Sequence, residues 1–143
     1  MYSVIYLLHM KVCFKGIKEN FSESKIEVIK KFIEYLQSQL PLNKDLHIYF
    51  VQKRKRKMTT GVRVSYHQVY ILVGGRLLVD ILRTISHEWV HEFQHQKLGL
   101  KEKQKTQEVG GKVENMANVL SGIFTKKFQK DNPEFDKELY DEE

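Results

Sequence analysis

The chain has 143 residues, 41% of them apolar and 29% charged, which is the composition of one globular domain with a hydrophobic core. Its one cysteine, Cys13, excludes an intramolecular disulfide and a zinc site made of paired thiolates. The first ten residues lack a basic leader and their apolar run ends at His9. We therefore expect no signal peptide and no membrane span, but a cytoplasmic, monomeric protein.

The net charge of +6 is unevenly distributed along the chain. Residues 131–143 carry seven acidic residues and one lysine, a net charge of −6. Because the whole chain carries +6, residues 1–130 carry +12. A basic body with an acidic tail indicates either an anionic partner for the body or association of the tail with the body.

Hydrophobic periodicity predicts the secondary structure. Strands are predicted at residues 2–8, 11–15 and 46–51, and a hairpin at 61–73. Amphipathic helices are predicted at residues 22–40, 76–98 and 106–130. This order predicts an α+β domain over residues 1–130, in which an N-terminal helix and a later helix pair pack on one face of a small antiparallel sheet. An acidic tail, residues 131–143, is expected to follow it.

Residues 87–91 read His-Glu-Trp-Val-His, the spacing H-E-x-x-H, within the second of these helices. Side chains four residues apart project from the same face of a helix, so His87 and His91 can point at one ion. The apolar stripe of this helix lies roughly opposite them and would face the core. Glu88 sits about 100° round the helix, within reach of a water on that ion. The sequence therefore predicts a Zn²⁺ site with Glu88 as the catalytic base.

A catalytic zinc site needs a third protein ligand and an open fourth position. A metzincin would have Gly and His where this chain has Gln94 and Lys97, so that arrangement is excluded. His95 lies a further turn along the histidine face and would converge poorly with the other two, so we interpret it as a polar residue at the edge of the cleft. The remaining candidates are Glu108 and Glu114, in or near the next helix.

The second helix favours Glu114 on physical grounds. Its side of the helix carries the small residues Gly110, Ala117 and Ser121, which would let that face approach the zinc helix closely. Glu108 lies near the predicted start of the helix, where an acidic residue also stabilises the helix dipole.

His87-Glu88-x-x-His91 followed by Glu114-Asn115-Met116-Ala117-Asn118 resembles the gluzincin pattern, H-E-x-x-H with a later E-x-x-x-[D/N]. It is similar above all to small peptidases of the ImmA/IrrE type and to phage-encoded minimal gluzincins. The resemblance covers about residues 70–125. It implies a zinc metalloendopeptidase acting on a peptide or protein, with Glu114 as the third ligand and Asn118 orienting a zinc-bound histidine.

The same resemblance implies how substrate binds. In gluzincins an edge strand before the zinc helix pairs with an extended peptide, and Tyr70, Ile71 and Leu72 occupy that place here. A plain core strand is the alternative interpretation of these residues. A donor that stabilises the oxyanion is also expected, and the sequence does not choose among Tyr66, His67, Tyr70 and Arg76.

Two charged segments leave alternatives open. The basic run, Lys53, Arg54, Lys55, Arg56 and Lys57, could contact nucleic acid or form a solvated loop, and the lack of interleaved aromatic residues favours the loop. The acidic tail could lie over the cleft and make the enzyme latent, or fray in solvent. The alternatives to a peptidase are a catalytically silent zinc domain that binds nucleic acid or a protein regulator, and a helix pair without metal.

Overall fold

The computed structural model describes residues 2–55, 58–65, 67–97 and 111–142. Its strands are β1 (Tyr2–Leu7), β2 (Met10–Lys15), β3 (Leu46–Val51), β4 (Gly61–Ser65) and β5 (Gln68–Leu72). Its helices are α1 (Ile17–Asn20), α2 (Glu23–Gln39), α3 (Leu78–Lys97), α4 (Gly111–Asp131) and α5 (Asp136–Tyr140), with a 3-10 turn at Pro133–Phe135. These elements confirm the predicted α+β class. No helix in the described ranges is long and apolar enough to cross a membrane.

The sheet is mixed, with the strand order β1-β2-β3-β5-β4. β1 pairs antiparallel with β2, and β4 with β5, as expected for hairpins. β3, however, runs parallel to both β2 and β5. The antiparallel sheet predicted from the sequence is therefore wrong. The reason is that α1 and α2 connect β2 to β3, and a helical crossover of this kind delivers the next strand in the same direction.

One face of the sheet packs on the helices. Alternate residues of the central strands are wholly or almost wholly buried against α2 and α3, among them Val12, Phe14, Ile48, Val69 and Ile71. Successive strand residues point to opposite faces, so the residues between these point away from the helices.

Helix α3 is oriented by its apolar side. Trp89 is completely buried in the core, and its indole Nε1 donates a hydrogen bond to the carbonyl of Leu40 at 2.8 Å. Leu40 follows the last residue of α2, so this bond ties α3 to the end of α2. With its apolar side held in the core, α3 turns its other side towards α4 and β4.

The C-terminal segment belongs to the folded core. Leu139 of α5 is completely buried, and the ring of Phe135 stacks on Phe128 with centroids 5.9 Å apart. The Lys25 ammonium donates to the carbonyl of Asp141 at 3.2 Å. The packed part of the chain therefore continues beyond residue 130. The described part of the tail is packed and not frayed, whereas latency through the tail stays a prediction.

We expect Leu139→Ala to lower the free energy of unfolding by about 2–5 kcal/mol, because a completely buried leucine loses both transfer energy and packing. Urea unfolding followed by circular dichroism measures the change. Lys137→Ala, at an exposed position of the same helix, is the matched control and should stay within about 0.5 kcal/mol. Equal stability of the two variants would contradict the docking of the tail.

Candidate metal centre

Helix α3 brings two histidines to one point. The rings of His87 and His91 lie one turn apart with centroids 4.7 Å apart, and their Nε2 atoms are separated by 3.1 Å. The structure thus places both imidazoles as the H-E-x-x-H spacing predicts.

Glu114 of α4 completes this cluster. Its Oε1 lies 2.7 Å from His87 Nε2 and 3.4 Å from His91 Nε2. The potential ligand atoms of the three residues all lie within 4.8 Å of one another, so they could hold a metal ion. The structure therefore brings Glu114 to the histidines, whereas Glu108 lies outside the described residues. His95 is partly buried and does not belong to this cluster.

The donor set fits a divalent transition-metal ion. Glu114 Oε1 is buried, and the polar atoms that the described residues place near it are the Nε2 atoms of His87 and His91, which are themselves potential metal ligands. Four ligands around a tetrahedral zinc, with bonds of about 2.0–2.1 Å, lie about 3.3 Å from one another, close to the separations found here. Two imidazoles and one carboxylate are a set that zinc commonly accepts.

Gln94 fixes the orientation of His91. Its Nε2 donates to the carbonyl of Val113 at 3.1 Å, and its Oε1 lies 2.8 Å from His91 Nδ1. A carbonyl can only accept, so the amide has one orientation and its oxygen faces the imidazole. His91 Nδ1 must then carry the proton, which leaves the lone pair of Nε2 directed at the cluster.

In this structure Gln94, and not Asn118, orients His91. The side chain of Asn118 is exposed, and its backbone carbonyl accepts from Ser121 Oγ at 3.0 Å. Gln94 is 1% exposed and contacts both metal-site helices. Gln94 could have been predicted from its position three residues after His91, because residues three apart are neighbours on a helix.

Glu88 is buried beside the cluster, between α3 and β4. A Cβ added to Gly61 of β4 would lie 3.1 Å from Glu88 Oε2 and 2.6 Å from Thr84 Cγ2, so only glycine lets the strand approach this closely. The pKa of Glu88 is raised to about 8, mainly by burial and secondly by the charge of Glu114, while Arg63 acts in the opposite direction. Glu88 is therefore a carboxyl group able to hold a proton near neutral pH.

His87 is held neutral. Burial lowers its pKa, the neighbouring His91 lowers it further, and Glu114 acts in the opposite direction. A neutral imidazole is the form that binds a metal, so the site does not have to lose this proton near neutral pH.

The strand predicted to bind substrate is not at the edge of the sheet. Tyr70, Ile71 and Leu72 lie in β5, which pairs with β3 on one side and β4 on the other. The backbone of an interior strand is already hydrogen-bonded on both sides, so it cannot add a peptide. The edge strand beside α3 is β4.

A buried ionic network, which no pattern in the sequence had indicated, holds β4 on α3. Glu92 is completely buried, and its Oε1 accepts from Arg63 Nε at 2.7 Å. Its other oxygen pairs with His67 Nδ1 and with Gln96 Nε2. Burial raises the pKa of Glu92, but the hydrogen bonds from Gln96, His67 and Arg63 outweigh it and lower the pKa overall.

The candidate oxyanion donors are bonded elsewhere. His67 pairs with Glu92, and Arg76 donates to Thr84 Oγ1 at 2.7 Å and to the carbonyl of Leu72. Tyr70 stacks on another tyrosine, away from the cluster, and Tyr66 lies outside the described residues.

Residues 53–55 of the basic run lie in a loop after β3. Lys53, Arg54 and Lys55 are exposed, and Arg54 Nε donates to the carbonyl of Thr59 at 2.8 Å. Arg56 and Lys57 lie outside the described part of the chain.

We expect Gln94→Leu to weaken zinc binding by about 10- to 100-fold, because losing the partner of a ligating histidine frees its tautomer and orientation. Competition with a chromophoric zinc chelator measures the affinity. Gln129→Leu is the matched control, because the Gln129 amide bonds Tyr140 at the surface. Equal zinc affinity in Gln94→Leu and wild type would contradict the role given to Gln94.

A scan against protein-family models gave no match, and searches of the curated proteins and of the solved structures likewise gave none.

Proposed function

We propose that the chain is a zinc-dependent metalloendopeptidase of the gluzincin type, which hydrolyses peptide bonds. The observation that supports this most is a buried carboxyl group, Glu88, beside a cluster of three ligands that it does not join. A structural zinc site uses four protein ligands. The cluster has three among the described residues, which suits a site that leaves one position for water or substrate.

The choice of zinc rests on Glu88. Two histidines and one carboxylate also bind iron(II) in non-haem oxygenases, so the ligand set alone does not select the metal. Hydrolysis needs a group that accepts a proton from water, and Glu88 is such a group. When bound, zinc would supply Lewis acidity, lowering the pKa of water and polarising the peptide carbonyl.

Each residue of the proposed site has its own role in metal binding or proton transfer. His87, His91 and Glu114 would hold the ion, and Gln94 keeps His91 in the tautomer that binds it. Glu88 would take a proton from the attacking water and pass it to the leaving amine nitrogen. Burial is the main cause of the raised pKa of Glu88, and repulsion from Glu114 adds to it. A cation held by Glu114 would remove this repulsion and so favour the carboxylate form of Glu88, which can accept a proton.

We assign substrate binding to β4 in place of β5. β4 is an edge strand, so its outward backbone groups can pair with an extended peptide. Gly61 of this strand lies against Glu88, so a peptide paired with β4 would run beside the proposed base.

Glu88→Gln should keep zinc and lose hydrolysis by roughly 100-fold or more, because an amide cannot accept the proton. Glu114→Ala should lose zinc affinity. Zinc content is measured by elemental analysis, and hydrolysis by mass spectrometry of a randomised peptide library incubated with each protein. Gln129→Leu serves as the control for both assays.

If zinc-loaded wild type cleaves no member of the library, the proposed peptidase activity is contradicted. The alternative, a catalytically silent zinc domain, would then be favoured. Cleavage by Glu88→Gln at the wild-type rate would contradict the role of Glu88.

A further inference from the structure

The face of the sheet that points away from the helices is here called the outer face. It is defined by strand register, which aligns Tyr6 with Lys11, Cys13 with His47, and Tyr49 with Tyr70. Its side chains are Val4, Tyr6, Lys11, Cys13, Lys15, His47, Tyr49, Val51, Val62, Gln68, Tyr70 and Leu72.

The outer face presents three tyrosines from three different strands. Tyr6 of β1 is 80% exposed, although it is a large side chain. Tyr49 of β3 and Tyr70 of β5 are partly exposed and stack with centroids 4.9 Å apart and planes 20° apart. Sheets with aromatic side chains on an open face offer flat surfaces on which unpaired bases stack.

The charge of the outer face is positive. Lys11, Lys15 and His47 lie among the tyrosines, and none of the twelve side chains that define the face is acidic. Asp45 lies just before β3, and its carboxylate accepts a hydrogen bond from the backbone amide of Lys11 at 3.0 Å. The exposed cations at residues 53–55 follow β3 and extend the positive charge beyond the sheet.

We propose that the outer face binds single-stranded nucleic acid, with bases stacked on Tyr6, Tyr49 and Tyr70 and phosphates near Lys11 and Lys15. A polyanion matches the charge of the face, and unpaired bases match its aromatic rings. Two copies packed face to face would bring like charges together, and an acidic peptide lacks the bases.

This site is separate from the metal centre. The histidines and Glu114 lie on α3 and α4, on the side of the sheet that the helices cover. A strand on the outer face would leave the metal cleft open, so nucleic-acid binding needs neither zinc nor Glu88.

Fluorescence anisotropy with labelled DNA and RNA oligonucleotides of about 16 nucleotides, single-stranded and duplex, tests the proposal. At least one kind of single strand should bind more tightly than the duplex, with affinity falling as salt rises. Tyr6→Ala and Tyr70→Leu should each weaken binding by roughly fivefold or more. Lys11→Gln should reduce the slope of log affinity against log salt by about 0.7 if it contacts one phosphate.

The matched controls lie on the helical side of the molecule. Tyr140→Ala on α5 and Lys126→Gln on α4 change exposed residues of the same types and should bind like wild type. Glu88→Gln should also bind like wild type, which separates this proposal from the peptidase. Lack of binding to any single strand at low salt, equal affinity for duplex, or equal loss in the control variants would overturn the proposal. So would a wild-type dimer in light scattering that Tyr6→Ala dissociates without nucleic acid.

Discussion

The amide of Gln94 joins the two helices that carry the candidate metal site. Its oxygen faces His91 on α3, and its nitrogen donates to the carbonyl of Val113, the residue before Glu114 on α4. Because the carbonyl can only accept, this one buried group sets the tautomer of His91 and ties α3 to the first turn of α4. The convergence of two ligands from one helix with a third from another depends on this contact.

Most of the site that was predicted correctly is determined within one helix. Glu114 of α4 is the exception, since the small residues on its side of the helix and the gluzincin resemblance indicated it. The geometry of His87, Glu88 and His91 follows from helical spacing, and the apolar stripe ending in Trp89 and Phe93 gave the side of α3 that faces the core. Asn118 failed as the partner of a histidine because that role depends on how α4 is rotated against α3. A pattern within one helix does not contain that rotation.

The arrangement of the sheet likewise could not be predicted from patterns within single elements. Alternation of apolar residues located the strands, but it records which residues are buried and not which strand lies next to which. β5 was therefore wrongly predicted to be an edge strand, although β3 and β4 flank it. The tyrosines of the outer face are also far apart in the sequence and meet only in the sheet, so a search for aromatics among the cations of residues 53–57 could not find them.

The central claim is that His87, His91 and Glu114 together hold a zinc ion. X-ray absorption at the zinc edge, recorded on protein loaded with one equivalent of zinc, tests it most directly. The expected spectrum shows two imidazoles and further oxygen ligands at about 2.0–2.1 Å, and His87→Ala should remove one imidazole. A shell of oxygen atoms alone, sulfur in the shell, or a spectrum that His87→Ala leaves unchanged would contradict the claim.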